Sequence, residues 1–160
     1  IYAAPDIRTA RDKIEVYEQK LRAAGVEPVP TWKADGKFTE AGGAEAAEQI
    51  LTRHPNVTAL FAANDKMAIG ALHYLNRKRI AVPQQVSVMG FDDMQHAAFA
   101  NPSLTTVHLP LYEVGALACE RLIERIRGKT EKVAEVLPTH LVVRESTAIA
   151  SRLLANDEHR

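Results

Sequence analysis

An α/β fold, a parallel sheet flanked by helices, is what this 160-residue sequence predicts. Two observations carry that reading. Residues 57–63 and 86–90 are short, unbroken apolar runs, the pattern of strands buried on both faces. Around them lie longer stretches whose apolar residues recur every three or four positions, as on a helix with one buried face. The two kinds of segment alternate, which points to β-α-β units and hence to parallel strands.

The elements follow in order. Residues 1–4 form a short apolar run. Residues 9–24 are amphipathic, with Ile14, Tyr17 and Leu21 set among charges, and Gly25 ends that helix. Residues 28–33 read as a ragged or edge strand, because Pro28 and Pro30 have no N–H to donate to a ladder. Thr39 is placed to cap a helix that runs to Arg53 and stops at His54-Pro55. Residues 65–78 are helical, with Met67, Ile69, Ala71, Leu72 and Leu75 facing inward, and residues 95–99 form a short helical turn. Residues 105–108 are extended. Residues 111–127 make the longest helix, with Val114, Leu117, Ala118, Leu122 and Ile126 on one face, and Gly128 closes it. Residues 133–137 and 141–144 read as short strands on either side of Pro138, and residues 151–160 as a tail. The change of rhythm after Thr105 marks the chain leaving one layer or lobe for another.

Composition narrows the function. Twenty Lys and Arg against twenty Asp and Glu leave no net charge, whereas a module that grips DNA by itself carries a basic excess. No apolar run reaches the roughly 18 residues a bilayer span requires, so no membrane association is expected. One cysteine, Cys119, cannot close an internal disulfide, which fits a reducing compartment, and its helical neighbours Ala116, Leu122 and Ile123 predict a small buried residue rather than a reactive thiol. The chain has no initiator Met and no signal peptide and opens on strand-like residues, so a piece cut from a longer chain is expected.

In an open parallel sheet, ligands bind beyond the carboxyl ends of the strands. The sequence delivers polar groups there after each strand: Pro5-Asp6-Ile7-Arg8-Thr9, then Asp35-Gly36-Lys37-Phe38-Thr39, Asn64-Asp65-Lys66, and Phe91-Asp92-Asp93. Carboxylates and carboxamides hold neighbouring hydroxyls, and an aromatic face covers the apolar face of a sugar ring. Such a set suits a sugar, or another ligand with several hydroxyls such as a nucleoside. Each residue also has a plainer reading: Asn64 or Asp65 as a helix cap, Asp92 or Asp93 as turn formers, Phe38 as core. The histidines are scattered and no pair has i, i+4 spacing, so no metal is expected. No nucleophile elbow, phosphate loop or dinucleotide fingerprint is present, so neither catalysis nor a cofactor is expected.

Four runs together resemble the LacI/GalR family of bacterial transcription regulators. Ala62-Ala63-Asn64-Asp65-Lys66-Met67-Ala68-Ile69-Gly70-Ala71-Leu72 is similar to the family's N-D-x-x-A-x-G helix start. Val82-Pro83-Gln84-Gln85-Val86-Ser87-Val88-Met89-Gly90-Phe91-Asp92-Asp93 resembles its next strand, Pro102-Ser103-Leu104-Thr105-Thr106-Val107 its P-x-L-T-T-[VI] segment, and Leu137-Pro138-Thr139-His140-Leu141-Val142-Val143-Arg144-Glu145-Ser146-Thr147 its closing run. The resemblance implies a two-lobed, periplasmic-binding-protein-like type I domain of which this chain is the second half. Residues 1–104 would be most of the C-terminal lobe, 105–138 a crossover strand and a helix of the N-terminal lobe, 139–148 a returning strand and 149–160 a tail, with the DNA-binding helix-turn-helix absent.

The resemblance also implies site residues. Asp92 is similar to the family's ligand-hydroxyl aspartate, Asn64 to a ligand-contacting asparagine and Phe38 to a stacking aromatic. The family's R-x-x-G-[FYW] run is here Lys13-Ile14-Glu15-Val16-Tyr17, so Lys13 stands for the arginine without its planar fork, and Arg8 or Arg11 could take its place. Leu109 stands where relatives often carry glutamine, which implies a less polar or differently shaped effector. The function implied is ligand sensing for a cytoplasmic, homodimeric regulator, a repressor, that reaches operator DNA only through the absent helix-turn-helix. The alternative is a periplasmic sugar-binding protein of a transporter.

Overall fold

A computed structural model describes residues 1–4, 6–129 and 134–149. The two apolar runs meet as expected. Strand β1 (Ala59–Phe61) follows helix α1 (Arg8–Ala23) and helix α2 (Glu40–Arg53), and pairs in parallel with β2 (Ser87–Met89). Leu60 lies opposite Val88, and both are buried. Single bridges widen this sheet. On one side Ala63 N–H donates to Ile1 O at 2.9 Å and Tyr2 bridges Asp35 in parallel; on the other, Met89 bridges Thr105 in parallel.

One face of the sheet is covered by α2 and α3 (Asp65–Arg77), and small residues set how closely these two pack. Gly42, Gly43, Ala46 and Ala47 of α2 are buried, as are Ala68, Gly70 and Ala71 of α3. A Cβ on Gly70 would overlap the Glu40 carbonyl, and one on Gly43 would overlap the Met67 backbone. The helices thus touch through main chain, and Met67, Leu72 and Leu75 fill the core beneath them. Ile69, expected inward, packs partly buried against that core. Each helix is capped by the residue before it: Thr39 Oγ1 accepts from Gly42 N, and Asn64 Oδ1 from Met67 N.

Helix α1 is held more loosely. Its predicted apolar face, Ile14, Tyr17 and Leu21, lines a cavity of about 690 Å³ shared with Trp32, Ile50 and Val57. Residues 28–33 are not a strand. Pro30–Trp32 is a 3₁₀ turn, and only Ala34 and Asp35 rejoin the sheet, through Tyr2. The physical reason is the pair of prolines, which removes ladder donors where a strand would need them.

After α4 (Gln95–Phe99), the chain forms β3 (Thr106–His108), α5 (Leu111–Ile126) and β4 (His140–Val142), with β3 and β4 antiparallel. The break in rhythm after Thr105 is therefore a change of sheet. Of the strand expected over 133–137, the described part, 134–137, is not a strand; Val133 and the tail expected over 151–160 lie outside the described residues. Cys119 is exposed, which corrects the expectation of burial: α5 is amphipathic, but it buries no residue, so its apolar side has no core to enter.

Residues 144–148 strap the edge of the main sheet. Ser146 Oγ donates to Val88 O at 2.6 Å and accepts from Thr105 N at 2.8 Å, Val88 N donates to Ser146 O, and the Thr105 and Thr147 hydroxyls meet at 2.9 Å. Ser146 and Thr105 are buried, so these bonds complete groups that could not reach water.

The glycines give a paired prediction. Gly70→Ala forces α2 and α3 apart and lowers the unfolding free energy by about 1–3 kcal/mol. Gly115→Ala, in α5 where nothing lies within 4 Å of the new Cβ, leaves stability unchanged or raises it by up to about 1 kcal/mol. Urea unfolding of both variants checks the contrast.

Candidate functional site

The loops that follow the strands converge on one edge of the sheet. Three features build the site there: the turn after β2, the start of α3, and one lysine of α1.

The turn is unusual in its backbone. Asp92 has φ 116° and Asp93 φ 55°, two successive non-glycine residues at positive φ. Such conformations cost on the order of 1–3 kcal/mol each and persist only where the surroundings hold them. Here the restraints are explicit. Asp65 Oδ2 accepts from Met94 N at 2.7 Å and Asp65 Oδ1 from the Thr106 hydroxyl at 2.6 Å. Asp92 N donates to Val107 O at 2.9 Å. The Asp93 carboxylate receives Arg144 Nη2 at 2.7 Å and lies 2.9 Å from His108 Nδ1. Gly90 leaves room for Asp65, whose Oδ1 a Cβ at that position would overlap.

Lys13 reaches the turn from α1. Its Nζ donates to Ala63 O at 2.9 Å and sits 3.8 Å above the Phe91 ring, a cation-π contact. Burial pushes the lysine below its ordinary value, opposed by the charge of Asp92. Burial pushes Asp92 up, Lys13 pulls it down, and Asp65 pushes it up again. A half-buried ammonium and a half-buried carboxylate thus act on one another through their charges at this edge of the sheet, each partly dehydrated. Asp65, fully buried, is raised first by burial, against the hydrogen bonds from Thr106, Met94 and Phe91. For Asp93 burial pushes upward, but the hydrogen bonds and charges of Arg144 and His108 outweigh it and hold the carboxyl below the usual range.

Of the residues singled out from sequence, Lys13 and Asp92 come together. Asn64 caps α3 through Oδ1, which leaves its amide nitrogen as a donor at the same edge. Asp65 is not the cap; it is the buried acceptor behind the turn. Phe38 stands in the loop before α2 at φ 57°, 40% exposed rather than in the core. Arg8 is solvent-facing and 3.8 Å from Asp12, and Arg11 is exposed; neither bonds to the Asp92 turn among the described residues. Sequence reasoning read Asp65 as a cap and Asp93 as a turn former, missed the partners that bury one and pair the other, and did not single out Arg144. For Asp65 a signal existed: it shares a helical face with Ala68, Leu72 and Leu75, so the periodicity already placed it inward. No group of three or more His, Cys, Asp or Glu among the described residues could hold a metal ion. The edge offers an anion, a cation, an amide and aromatic surface, which together suit hydroxyl-rich ligands.

The family pattern described as a periplasmic binding protein-like domain matches residues 2–147. The chain belongs to that family. It is of the LacI type: it is 39% identical to the HTH-type transcriptional regulator CelR of Thermobifida fusca, over 88% of this chain and 42% of that protein. It is 35% identical to the HTH-type transcriptional repressor PurR of Haemophilus influenzae, over 86% of this chain and 42% of that one. Among solved structures it superposes on a CelR–cellobiose complex with TM-score 0.87 and 39% identity, covering 91% of this chain and 45% of the other. It also superposes on the lac repressor dimer bound to operator and the anti-inducer ONPF, with TM-score 0.84 and 26% identity, covering 92% and 51%. This LacI-type chain therefore spans less than half the length of those curated relatives, about 42%. Its relatives are transcription regulators, and the transporter alternative is set aside on that finding. No helix among the described residues is long and apolar enough to cross a membrane.

The ionisation pattern sets a pH prediction. Asp93 is depressed in the folded state, so its stabilisation is complete above the ordinary carboxylate value, about 4, and is lost as pH falls through its lower folded value. Asp65 is raised, so its burial counts against the fold at neutral pH and is relieved as pH falls through that raised value. Asp93→Asn is expected to lower stability at pH 7 and to flatten the acid-side decline. Urea midpoints over a pH series read both effects.

Proposed function

We propose that this chain forms one wall of the effector cleft of a LacI-type transcription regulator, and that the effector is a sugar or nucleoside-like molecule. The observation that carries the reading is the Lys13 ammonium, stacked on Phe91 and beside Asp92, at the carboxyl edge of a parallel sheet. Asp92 accepts from ligand hydroxyls, Lys13 and the Asn64 amide donate, and Phe38 covers an apolar ring face. In this reading residues 1–104 belong to one lobe, the helix within 105–138 belongs to the other, and 139–148 return. The protein works by binding, without turnover, in the cytoplasm. The parent chain is a homodimer that meets operator DNA through a separate helix-turn-helix, and the effector shifts a two-state lobe arrangement by its differential affinity for the two states. The cellobiose held by the CelR relative supports a sugar as the first class to test.

Calorimetry on the full-length parent tests this with a panel of sugars and nucleosides that begins with cellobiose. Asp92→Ala is expected to weaken the best ligand by roughly 10- to 100-fold, the range for losing a hydrogen bond to a charged group. An unchanged Kd would remove Asp92 from the site. In this reading the 160 residues supply one wall only, and by themselves they are expected to show no low-micromolar sugar affinity.

The same reading predicts how the isolated chain behaves. The α5 face leaves Leu111, Val114, Leu122, Ile123 and Ile126 exposed, with Tyr112 beside them. Contiguous apolar surface of this kind favours self-association. Light scattering is expected to show mass rising with concentration, and a constant monomer mass would count against α5 belonging to a second lobe.

A further inference from the structure

We propose that Asp93 is a positioning residue for Asp92, and that with Arg144 and His108 it forms a latch that transmits movement of the crossover strands to the effector-binding turn. The proposal rests on the reading of Asp92 as effector-facing and assigns the regulation of that site to three residues beside it.

The geometry is specific. Asp93 follows Asp92 directly, and both sit at positive φ, so what holds one backbone also bears on its neighbour. The Asp93 carboxylate is tied twice, once to the end of β3 and once to the segment that follows β4. His108, at the end of β3, approaches one oxygen with Nδ1 at 2.9 Å; Arg144, two residues beyond β4, donates to the other with Nη2 at 2.7 Å. Arg144 is itself fixed, since Nη1 donates to Leu104 O at 2.8 Å and its backbone N–H to the Thr105 hydroxyl at 2.9 Å. Behind His108 stands His140 of β4, with ring centroids 4.7 Å apart. The charged and titratable groups around Asp93 are thus Arg144 and His108 in contact, His140 behind His108, and Asp65 and then Asp92 with Lys13 on the turn side.

β3 and β4 lie on either side of α5 in sequence, so they are the segments that must bend if α5 moves relative to the main sheet. A shift of β4 along β3 moves Arg144 away from His108, and one carboxylate cannot follow both. Losing either tie frees a turn whose backbone Asp does not hold unaided. Asp92 then leaves the position that faces Lys13. The converse holds by linkage: a ligand that pins Asp92 favours the arrangement in which both ties are made.

The test has two arms. In the 160-residue chain without ligand, amide hydrogen exchange is followed at Asp92, which donates to Val107, with Ala71 and Leu72 in α3 as reference. Asp93→Asn and the milder Arg144→Lys are each expected to speed exchange at Asp92 by about tenfold or more while the α3 amides keep their rates, the sign of local rather than global opening. Exchange that rises equally at both places, or at neither, overturns the latch. In the full-length parent, the ratio of effector affinities with and without operator DNA measures the coupling. Arg144→Lys is expected to bring that ratio towards one; an unchanged ratio overturns the proposal. Asp92→Asn in the same parent reports on the site itself: if sugar binding survives it, the effector reading fails, while the exchange result still decides whether Asp93 holds the turn.

Discussion

A carboxylate with no access to water organises this molecule. Asp65 opens α3 immediately after β1, and its two oxygens receive a hydroxyl from β3 and an amide from the turn after β2. A buried charge is tolerable only when its lone pairs are taken up, so Asp65 places conditions on segments distant in sequence. Position 90 must be small, position 106 must carry a donor, and Met94 N must point inward. Those conditions draw Asp92 and Asp93 into a conformation that neither would choose. The shape of the turn is thus a consequence of satisfying a buried group behind it.

The same arrangement divides rigidity unevenly. On one side the main sheet is backed by α2 and α3 in main-chain contact, which leaves little freedom for Asn64 or for the loop that carries Phe38. On the other, β3 and β4 form a narrow ribbon joined to the sheet through Thr105, Arg144 and Ser146. Lys13 is different again: it is delivered by a helix that keeps a cavity beneath it. An edge made of one firm wall, one narrow strand pair and one cation on a loosely packed helix is compatible with the ligand-sensing role proposed above.

Much of this could be read from the chain. Residues 57–63 and 86–90 announced paired strands because apolar runs of that length fit nothing else between amphipathic helices. Asn64 and Thr39 announced helix starts through their capping chemistry. Lys13 and Asp92 were singled out by their place in runs that resemble the family's, and the structure brings their charges within reach of one another. What stayed hidden is of two kinds. Residues 28–33 carry strand-like composition, but main-chain donors decide the outcome and two of them are missing. Cys119 and the apolar face of α5 follow a burial pattern with no surface present to bury them, and periodicity cannot tell whether a partner exists. The Asp93–Arg144 pair spans 51 positions in sequence, and no local rule connects residues at that distance.

The strap of residues 144–148 has a consequence for how the chain acquires its shape. Ser146 meets Val88 across 58 positions and Thr105 across 41. During synthesis the edge of β2 therefore stays uncovered until residue 146 has emerged. Contacts of such long range are slow to form because loop closure precedes any gain from them. An uncovered strand edge offers unpaired donors and acceptors to whatever passes. The interval between completing the sheet and closing the strap is when this polypeptide is most open to mispairing.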